Sequence, residues 1–560
     1  MSPRRMFDLL HREIRGLHEA AYLLAFFTFG SQLVALVRDR LLAHQFGAGE
    51  VLDIFYAAFR IPDTIYALLA SMVSLFVLIP FIEAATKHGM NALKEFMSDM
   101  FSFFSLALIV VGGVAWIFAP QLVQLLYGGF SSGMQADLVL MVRILLVQPL
   151  ILGVSNLFAA YVQVRGRFLL YAVAPILYNI GIILGIIFLY PILGIAGLAW
   201  GVVLGAVLHL GVQTPFMMMH GMVPRPVWPD WRRVYGVIRI SIPRTITLSA
   251  QQLVMLVLVS LASLFAVGSI SSFSFAWNLQ AVPLALIGVS YSVAAFPKLA
   301  RLFGAGEYEE YKKLILIAAR EIVFWALPVL VLIIVLRAQI VRVILGTGAF
   351  DWDATMMTGA ILALLVISLA AQGLVVLLVR ACYAAGKTLV PLALNLISSV
   401  GTVAIALLLL EGASRGAIDL GALANIMRVS NVPGTEVLLI AAAYSLGAII
   451  NATLLLLYFE RRYGPFFAAI RTTVWQSAVA AFMGGVGAYL ALNLLDDMVS
   501  LQTLIGVSLQ GIGAGIVGVC VWTVTLVALG NKDIVVAWGA LQKRLTRERL
   551  GEARGSIEEV

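Results

Sequence analysis

The chain has 560 residues, of which 62% are hydrophobic and only 12% are charged, and its mean hydropathy is +1.00. This composition excludes an ordinary soluble domain, in which about a quarter of the residues are charged. The formal charge of +8 does not indicate a nucleic-acid partner, because the basic residues flank apolar runs, where they suit anionic lipid headgroups. The sequence therefore predicts an all-α polytopic membrane protein that is surrounded by membrane lipids and binds no nucleic acid.

About fourteen apolar segments follow one another along the chain, each close to the ~20 residues that a membrane-spanning helix needs. We number them spans 1 to 14 in chain order: 20–37, 54–82, 97–119, 136–161, 168–190, 193–217, 236–265, 272–297, 314–336, 354–384, 388–410, 437–459, 473–494 and 502–529. Alternation with a period of two, which is typical of membrane strands, is absent from these segments. The segments therefore predict about fourteen transmembrane helices.

Lysine and arginine concentrate in every second gap between the spans. The first tail carries Arg4 and Arg5, and the last tail is basic from Lys532 to Arg554, whereas the gap at 190–195 contains neither residue type. Positive charge of this kind marks the cytoplasmic side of a membrane protein. The pattern predicts a cytoplasmic amphipathic segment at 1–19 and a cytoplasmic tail at 531–560.

The chain resembles itself at an offset of about 217 residues, which spans six helices. The matching positions are Pro80 with Pro297, Gly89 with Gly306, Pro175 with Pro391 and Asn179 with Asn395. An even number of spans leaves both copies in the same orientation, so we predict two parallel six-helix bundles. The N-lobe is 20–220 (spans 1–6), the C-lobe is 221–462 (spans 7–12), and 463–530 adds two C-terminal helices. Such a pair of lobes is typical of a transporter.

Ionisable side chains inside spans are candidates for function, because they are costly in hydrocarbon unless they face water or a partner. The densest group lies where span 1 ends and span 2 begins and comprises Arg38, Asp39, Asp53 and Arg60; span 7 adds Arg244. Arginines that line a cleft suit a diphosphate, since each guanidinium donates two parallel hydrogen bonds. The alternatives are interfacial anchoring of the arginines and a capping or neutralising role for the two carboxylates.

Motifs for metal, cofactor or nucleotide binding are missing. Cys382 and Cys520 lie in apolar runs without the spacing of a metal site or a disulfide framework. Without a Walker A motif, we expect transport to depend on an ion gradient or on the membrane potential, with no cofactor.

Residues 36–59, which read LVRDRLLAHQFGAGEVLDIFYAAF, and the following Arg60, Ile61 and Pro62 closely resemble the MurJ/MviN family of lipid II flippases. This family belongs to the multidrug/oligosaccharidyl-lipid/polysaccharide exporter superfamily. The resemblance implies a transporter, not an enzyme, that moves lipid II, an undecaprenyl-diphosphate-linked cell-wall precursor, from the inner to the outer leaflet by alternating access. It also implies a bacterial cytoplasmic (inner) membrane location and a groove for the lipid tail at 463–530.

Together with the resemblance, the charged residues suggest specific roles. We expect Arg38, Arg60 and Arg244 to bind the diphosphate, while Asp39 and Asp53 orient the arginines; Arg244 stands where the family commonly has a small residue. We expect a monomer whose partners are the lipid-linked glycan, membrane lipids and cell-wall synthesis proteins.

The chain also departs from the family pattern. Positions at which relatives carry further cavity arginines hold Gln32, Tyr66 and Asn278, and the family's acidic sodium-site residue has no counterpart in 388–410. Three alternatives therefore remain: an exporter of another lipid-linked oligosaccharide or of organic cations, an intramembrane glycan enzyme, and a non-transporting scaffold for cell-wall assembly. The arginines disfavour a cation exporter, and the short outer loops disfavour an enzyme.

Overall fold

The computed structural model of the protein describes residues 17–70, 75–496, 503–531 and 534. Within these ranges every regular element is a helix and no strand occurs. The predicted all-α membrane fold is therefore confirmed. Most of the predicted cytoplasmic segments 1–19 and 531–560 lies outside the described residues.

The described part of the chain forms twenty-four α-helices and two π-helices. In chain order they are α1 (Leu17–Phe46), α2 (Glu50–Ala58), α3 (Arg60–Ala70), α4 (Leu75–Lys87), α5 (Met90–Ile117), α6 (Ala119–Leu126), α7 (Ser132–Leu145), α8 (Val147–Val164), α9 (Phe168–Leu184), π1 (Gly185–Leu189), α10 (Tyr190–Leu193), α11 (Ile195–Gly211), α12 (Thr214–Met219), α13 (Trp231–Ala262), α14 (Ser269–Leu284), π2 (Ala285–Val289), α15 (Ser290–Gly304), α16 (Tyr308–Val335), α17 (Arg337–Leu345), α18 (Trp352–Val366), α19 (Leu369–Ala384), α20 (Leu389–Ser414), α21 (Leu420–Met427), α22 (Val437–Tyr463), α23 (Phe466–Asp496) and α24 (Leu504–Ala528).

Eleven helical stretches in the described residues are long and apolar enough to cross a membrane, and a twelfth is obtained if the bent pair α18 and α19 forms one span. These twelve correspond to predicted spans 3 to 14. Span 1 lies in α1, and span 2 falls on α2 to α4, which are interrupted by residues outside the described part. The protein is thus a multi-pass membrane protein, and the number fourteen stays a prediction.

Three short helices occupy stretches that we predicted to be loops: α6, α17 and α21. A proline lies in the first turn of α6, where its missing N–H costs no hydrogen bond. In α21 the side chain of Asp419 accepts a hydrogen bond from the amide of Ala422 and so caps the helix. Local capping signals of this kind escaped a search for long apolar runs.

The chain divides into two compact units. Unit 1 comprises Met1–Asn278, Ile344–Ile361 and Lys387–Gly447. One of its apolar cores joins α4, α5, α8, α12 and α13 through fully or almost fully buried side chains, among them Ile82, Phe104, Phe158, Phe216 and Val237. The start of α13 is fixed to α5 because Arg233 donates hydrogen bonds to Asp99 Oδ2 and Glu95 Oε2, each at 2.9 Å.

Unit 2 comprises Leu279–Val343, Leu362–Gly386 and Ala448–Val560. In its core, Phe324 of α16 packs against Trp522 of α24, with ring centroids 5.4 Å apart, and Ala480 and Ala481 of α23 lie beside them. Helices α23 and α24 pack along each other within this unit. The lobes 20–220 and 221–462 and a tail groove at 463–530 remain predictions.

Close approach of helices within unit 1 depends on missing side chains. A Cβ atom built on Gly181 of α9 would lie 2.2 Å from the Cα atom of Gly205 in α11, which is far shorter than van der Waals contact. Glycines therefore let these two helix backbones touch, as is common where membrane helices pack. Large apolar side chains such as Phe26, Leu125 and Ile192 are exposed by more than two thirds, as expected of a surface that faces lipid tails.

Candidate functional site

Arg38 and Asp39, adjacent residues of α1, form an ion pair inside unit 1. Arg38 donates from Nη2 at 2.7 Å and from Nε at 2.9 Å to Asp39 Oδ1. The side chain of Arg38 is 18% exposed and that of Asp39 only 3%. A pair with so little solvent is stable only if the remaining polar atoms also have partners.

Two asparagines from other helices supply these partners. Arg38 Nη1 donates to Asn179 Oδ1 of α9 at 2.9 Å, and Asn278 Nδ2 of α14 donates to Asp39 Oδ2 at 2.9 Å. Asn179 is itself held, because its Nδ2 donates to the carbonyl of Pro175 at 3.0 Å. We call Arg38, Asp39, Asn179 and Asn278 the closed cluster. It joins α1, α9 and α14, and it leaves both carboxylate oxygens of Asp39 occupied.

Arg60, unlike Arg38, makes no side-chain hydrogen bond in the described residues. It is the first residue of α3 and half-buried, and its Nε is buried without a hydrogen-bond partner among the described residues. The hydroxyl of Tyr56 is buried without a partner as well, whereas Tyr127 donates its hydroxyl to the carbonyl of Ala57 at 3.2 Å. The Nε of Arg60 therefore still has a hydrogen bond to donate, while the guanidinium interacts electrostatically with Asp63.

Asp63 lies one helical turn after Arg60 and was not singled out from the sequence. Its side chain is half-buried, and its carboxylate makes no hydrogen bond or ion pair within the described parts of the chain. We call Arg60 and Asp63 the open cluster. The spacing of three residues, which places two side chains on one helix face, was the sequence signal that could have revealed it.

Asp53 caps a helix instead of contacting an arginine. Its Oδ2 accepts a hydrogen bond from the amide of Gly268 and its Oδ1 from the amide of Ser271, both at 2.7 Å, and the side chain is 2% exposed. These amides belong to the start of α14, whose free N–H groups attract a carboxylate. No ion pair of Asp53 is found in the described residues, and its role in substrate binding stays a prediction.

The end of α1 meets the turn that follows α17, also within unit 1. Arg40 Nη1 donates to the carbonyl of Ile344 at 3.1 Å, and the amide of Ala349 donates to the carbonyl of His44 at 2.9 Å. Gly348 has a φ of +60°, and a Cβ there would lie 2.3 Å from the His44 carbonyl oxygen, so only glycine fits.

Arg244 lies in the continuous helix α13, but its side chain and that of Pro243 are outside the part that the structure describes. Its place in the site stays a prediction.

Two of the positions without the family's arginine have other partners. Asn278 binds Asp39, as described above, and the hydroxyl of Tyr66 accepts a hydrogen bond from Asn156 Nδ2. Nearby, Gln148 Nε2 donates to the hydroxyl of Tyr178 at 3.1 Å. A search of the described residues finds no group of three or more His, Cys, Asp or Glu side chains that could hold a metal ion. The site is thus built from arginine, carboxylate, amide and tyrosine groups.

Comparison with known proteins identifies similar sequences. The profile of the family described as lipid II flippase MurJ matches residues 42–506. The lipid II flippase MurJ of Burkholderia cenocepacia is 29% identical over 368 residues, which cover 64% of this chain and 71% of the relative. The probable lipid II flippase MurJ of Rhizobium tropici is 25% identical over 543 residues, which cover 93% of this chain and 95% of the relative.

Solved structures share the fold. A lipid II flippase MurJ in an inward closed conformation matches with a TM-score of 0.72 and 19% identity, over 92% of this chain and 100% of that one. An inward-facing multidrug resistance transporter of the MATE family matches with a TM-score of 0.63 and 15% identity, over 79% of this chain and 96% of that one.

Proposed function

The chain belongs to the lipid II flippase MurJ family, and from this we infer that it is a transporter that moves lipid II from the inner to the outer leaflet of the membrane. The family profile covers most of the chain, and relatives named as lipid II flippases match it over up to 93% of its length. This membership favours the flippase over an intramembrane enzyme or a scaffold.

The observation that carries the proposal is the buried Nε of Arg60 in helix α3, which has no hydrogen-bond partner among the described residues. Lipid II presents a diphosphate between its lipid tail and its sugars, and a guanidinium binds phosphate oxygens with paired, charge-assisted hydrogen bonds. Arg38 keeps two N–H groups after its three hydrogen bonds within the closed cluster. We assign the diphosphate to Arg60 and to these remaining donors of Arg38, with Arg244 as a third ligand.

Carrying the headgroup past such donors avoids a large cost. Sugars, peptide and diphosphate lose their hydration if they enter hydrocarbon without new partners. In a polar cavity, hydrogen-bond donors of the protein replace the water around the headgroup, while the apolar tail stays in lipid or in a groove at 463–530. Alternating access then requires the contact between α1 and the turn at 346–350, and the Asp53 cap on α14, to separate when the cavity opens outward.

The remaining features follow from the charge pattern and the family. We place the protein in the bacterial cytoplasmic membrane with both termini in the cytoplasm, acting as a monomer beside cell-wall synthesis proteins. An ion gradient or the membrane potential drives transport; the potential, negative inside, favours outward movement of the anionic diphosphate.

One observation supports a second candidate, an exporter of another lipid-linked oligosaccharide. Tyr66 and Asn278 are neutral and are engaged in hydrogen bonds with Asn156 and Asp39. The cavity therefore has less positive charge than the family pattern, which suits a headgroup of different charge.

Replacement of an essential lipid II flippase tests the proposal. The gene is expressed in a bacterium depleted of its own flippase, and survival is compared for the unmodified chain and for Arg38→Ala, Arg60→Ala and Arg244→Ala. Arg415→Ala is the matched control, because its side chain is 75% exposed and pairs with the likewise exposed Glu411 of the preceding helical turn. We expect the control to support growth and Arg60→Ala to fail.

Two outcomes would contradict the proposal. If all three alanine variants support full growth, these arginines do not form the diphosphate site. Failure of the unmodified chain, despite its insertion in the membrane, would favour another cargo or a scaffold.

A further inference from the structure

Asp63 differs from the three buried carboxylates in helices α1 to α5. The carboxylate oxygens of Asp39, Asp53 and Asp99 all accept hydrogen bonds. Asp63 accepts none within the described ranges, although it lies in the helix that follows the apolar, buried segment α2. A carboxylate in a membrane-spanning region that the protein leaves unsatisfied indicates a partner from outside the chain.

The groups around Asp63 are arranged for a polar ligand. Asp63 interacts electrostatically with Arg60, Tyr66 and Tyr178. Both tyrosine hydroxyls accept a hydrogen bond from an amide side chain, Asn156 and Gln148 respectively. Among the described residues no acceptor binds either hydroxyl proton, so each can still donate.

The chemistry of a carboxylate restricts what can bind there. An ionised carboxylate only accepts hydrogen bonds, and it repels a second anion. The ligand group must therefore carry an O–H or N–H donor and cannot be a phosphate. Because side chains three residues apart on a helix lie about 5–6 Å from each other, this donor belongs to the part of the cargo next to the group bound by Arg60.

We propose that Asp63 is a second contact point for the cargo, at which its carboxylate accepts a hydrogen bond from a hydroxyl or N–H group of the headgroup adjacent to the diphosphate. This inference rests on the proposed function, which places the diphosphate at Arg60. It makes the open cluster a two-part site: Arg60 binds the charge common to all diphosphate lipids, and Asp63 recognises the sugar-peptide part. The donor is either a sugar hydroxyl or amide, or an ammonium group of the peptide.

Binding measurements with two lipids test this division of roles. The full chain in lipid nanodiscs is titrated with lipid II and with undecaprenyl diphosphate, which has the same tail and diphosphate but no headgroup. We expect Asp63→Ala to weaken lipid II binding about tenfold, which is typical for loss of a hydrogen bond to a charged group, and to leave undecaprenyl diphosphate binding unchanged. Arg60→Ala should weaken binding of both lipids.

Two further variants control for loss of any carboxylate and for misfolding of Asp63→Ala. Asp353→Ala is the control, because Asp353 is an exposed carboxylate in the first turn of α18, and it should bind both lipids like the unmodified chain. Asp63→Asn keeps the shape and an acceptor oxygen but removes the charge, so we expect a smaller loss. It also replaces Asp63→Ala if that variant does not fold.

Lipid II whose peptide ammonium is acetylated identifies the donor. If the ammonium is the donor, acetylation weakens binding to the unmodified chain and Asp63→Ala adds no further loss. If a sugar group is the donor, acetylation has no effect and Asp63→Ala still weakens binding. Either result supports the proposal.

The overturning results are distinct. If Asp63→Ala weakens the binding of both lipids equally, Asp63 has a structural role. If the affinity for lipid II is unchanged, the proposed contact does not exist. If that affinity is unchanged but the pH dependence of transport is altered, Asp63 is a proton site instead. If the unmodified chain binds undecaprenyl diphosphate and Arg60→Ala abolishes this binding, the diphosphate site stands whatever Asp63 does. If the unmodified chain binds neither lipid, the proposed function itself fails.

Discussion

The closed cluster and the open cluster contain the same two kinds of charged group but treat them differently. In the closed cluster both oxygens of Asp39 and three nitrogens of Arg38 have partners within the protein. In the open cluster, Arg60 and Asp63 interact electrostatically, but neither side chain makes a hydrogen bond in the described residues. Charge inside a span is therefore not enough to identify a binding residue. What distinguishes the two clusters is whether the protein satisfies the hydrogen-bonding groups itself.

Removal of the central carboxylate should have the largest effect on stability. Asp39→Ala leaves Arg38 nearly buried without its counter-ion, and we expect a loss of about 3 kcal/mol in the free energy of unfolding. The thermal midpoint of the detergent-purified protein measures it. Asp39→Asn keeps one acceptor oxygen and should reduce the free energy of unfolding by a smaller amount. If Asp39→Ala is as stable as the unmodified chain, the ion pair contributes nothing to stability.

Loss of the helix cap should have the next largest effect. Asp53→Ala leaves the amides of Gly268 and Ser271 without an acceptor in a buried position, and we expect about 2 kcal/mol of destabilisation. The same thermal measurement applies. Asp351→Ala, which removes an exposed cap from the amide of Ala354, is the control and should cost less; the reverse order would contradict the importance of burial.

Asn278 should contribute a smaller amount. Asn278→Ala removes one hydrogen bond to Asp39 Oδ2 at 2.9 Å, and we expect about 1 kcal/mol. Asn278→Asp places a second carboxylate beside Asp39 and should destabilise the protein more than alanine does. If aspartate is tolerated as well as asparagine, the Asn278 side chain does not donate to Asp39 as described.

Arg60 should affect stability least, although it matters most for the cargo. Because Arg60 loses no hydrogen bond among the described residues and only an electrostatic interaction with Asp63, we expect Arg60→Ala to change the free energy of unfolding by less than about 1 kcal/mol. Affinity for lipid II should fall about tenfold or more, as for other charge-assisted contacts. Parallel thermal and binding measurements on one preparation separate the two effects. A large loss of stability would show that Arg60, like Arg38, has partners within the protein.

The sequence alone was sufficient for the helical class and for twelve of the spans, because apolar length and charge alternation are local properties. It also placed Arg38 beside Asp39. It could not reveal that Asn278 and Asn179 complete this pair, since their partners lie 239 and 141 residues away along the chain. For the same reason Asp53 was expected to orient the arginines, whereas its carboxylate accepts hydrogen bonds from two amides at and just before the start of α14.

Asp63 was missed for a different reason. A residue is recognised as unsatisfied only when all its neighbours in space are known, and no local pattern carries that information. The proline at position 62 drew attention to Arg60 as the anomaly of this segment, while Asp63 directly after it has the ordinary composition of a first helical turn.

The buried hydroxyl of Tyr56 and the buried Nε of Arg60 have a consequence for the resting protein. An isolated polar atom costs about 1–3 kcal/mol when no water reaches it. A ligand that hydrogen-bonds to these two atoms recovers this free energy. The affinity of the carrier for its cargo therefore includes the free energy gained when these buried atoms find partners, in addition to the free energy of the other contacts.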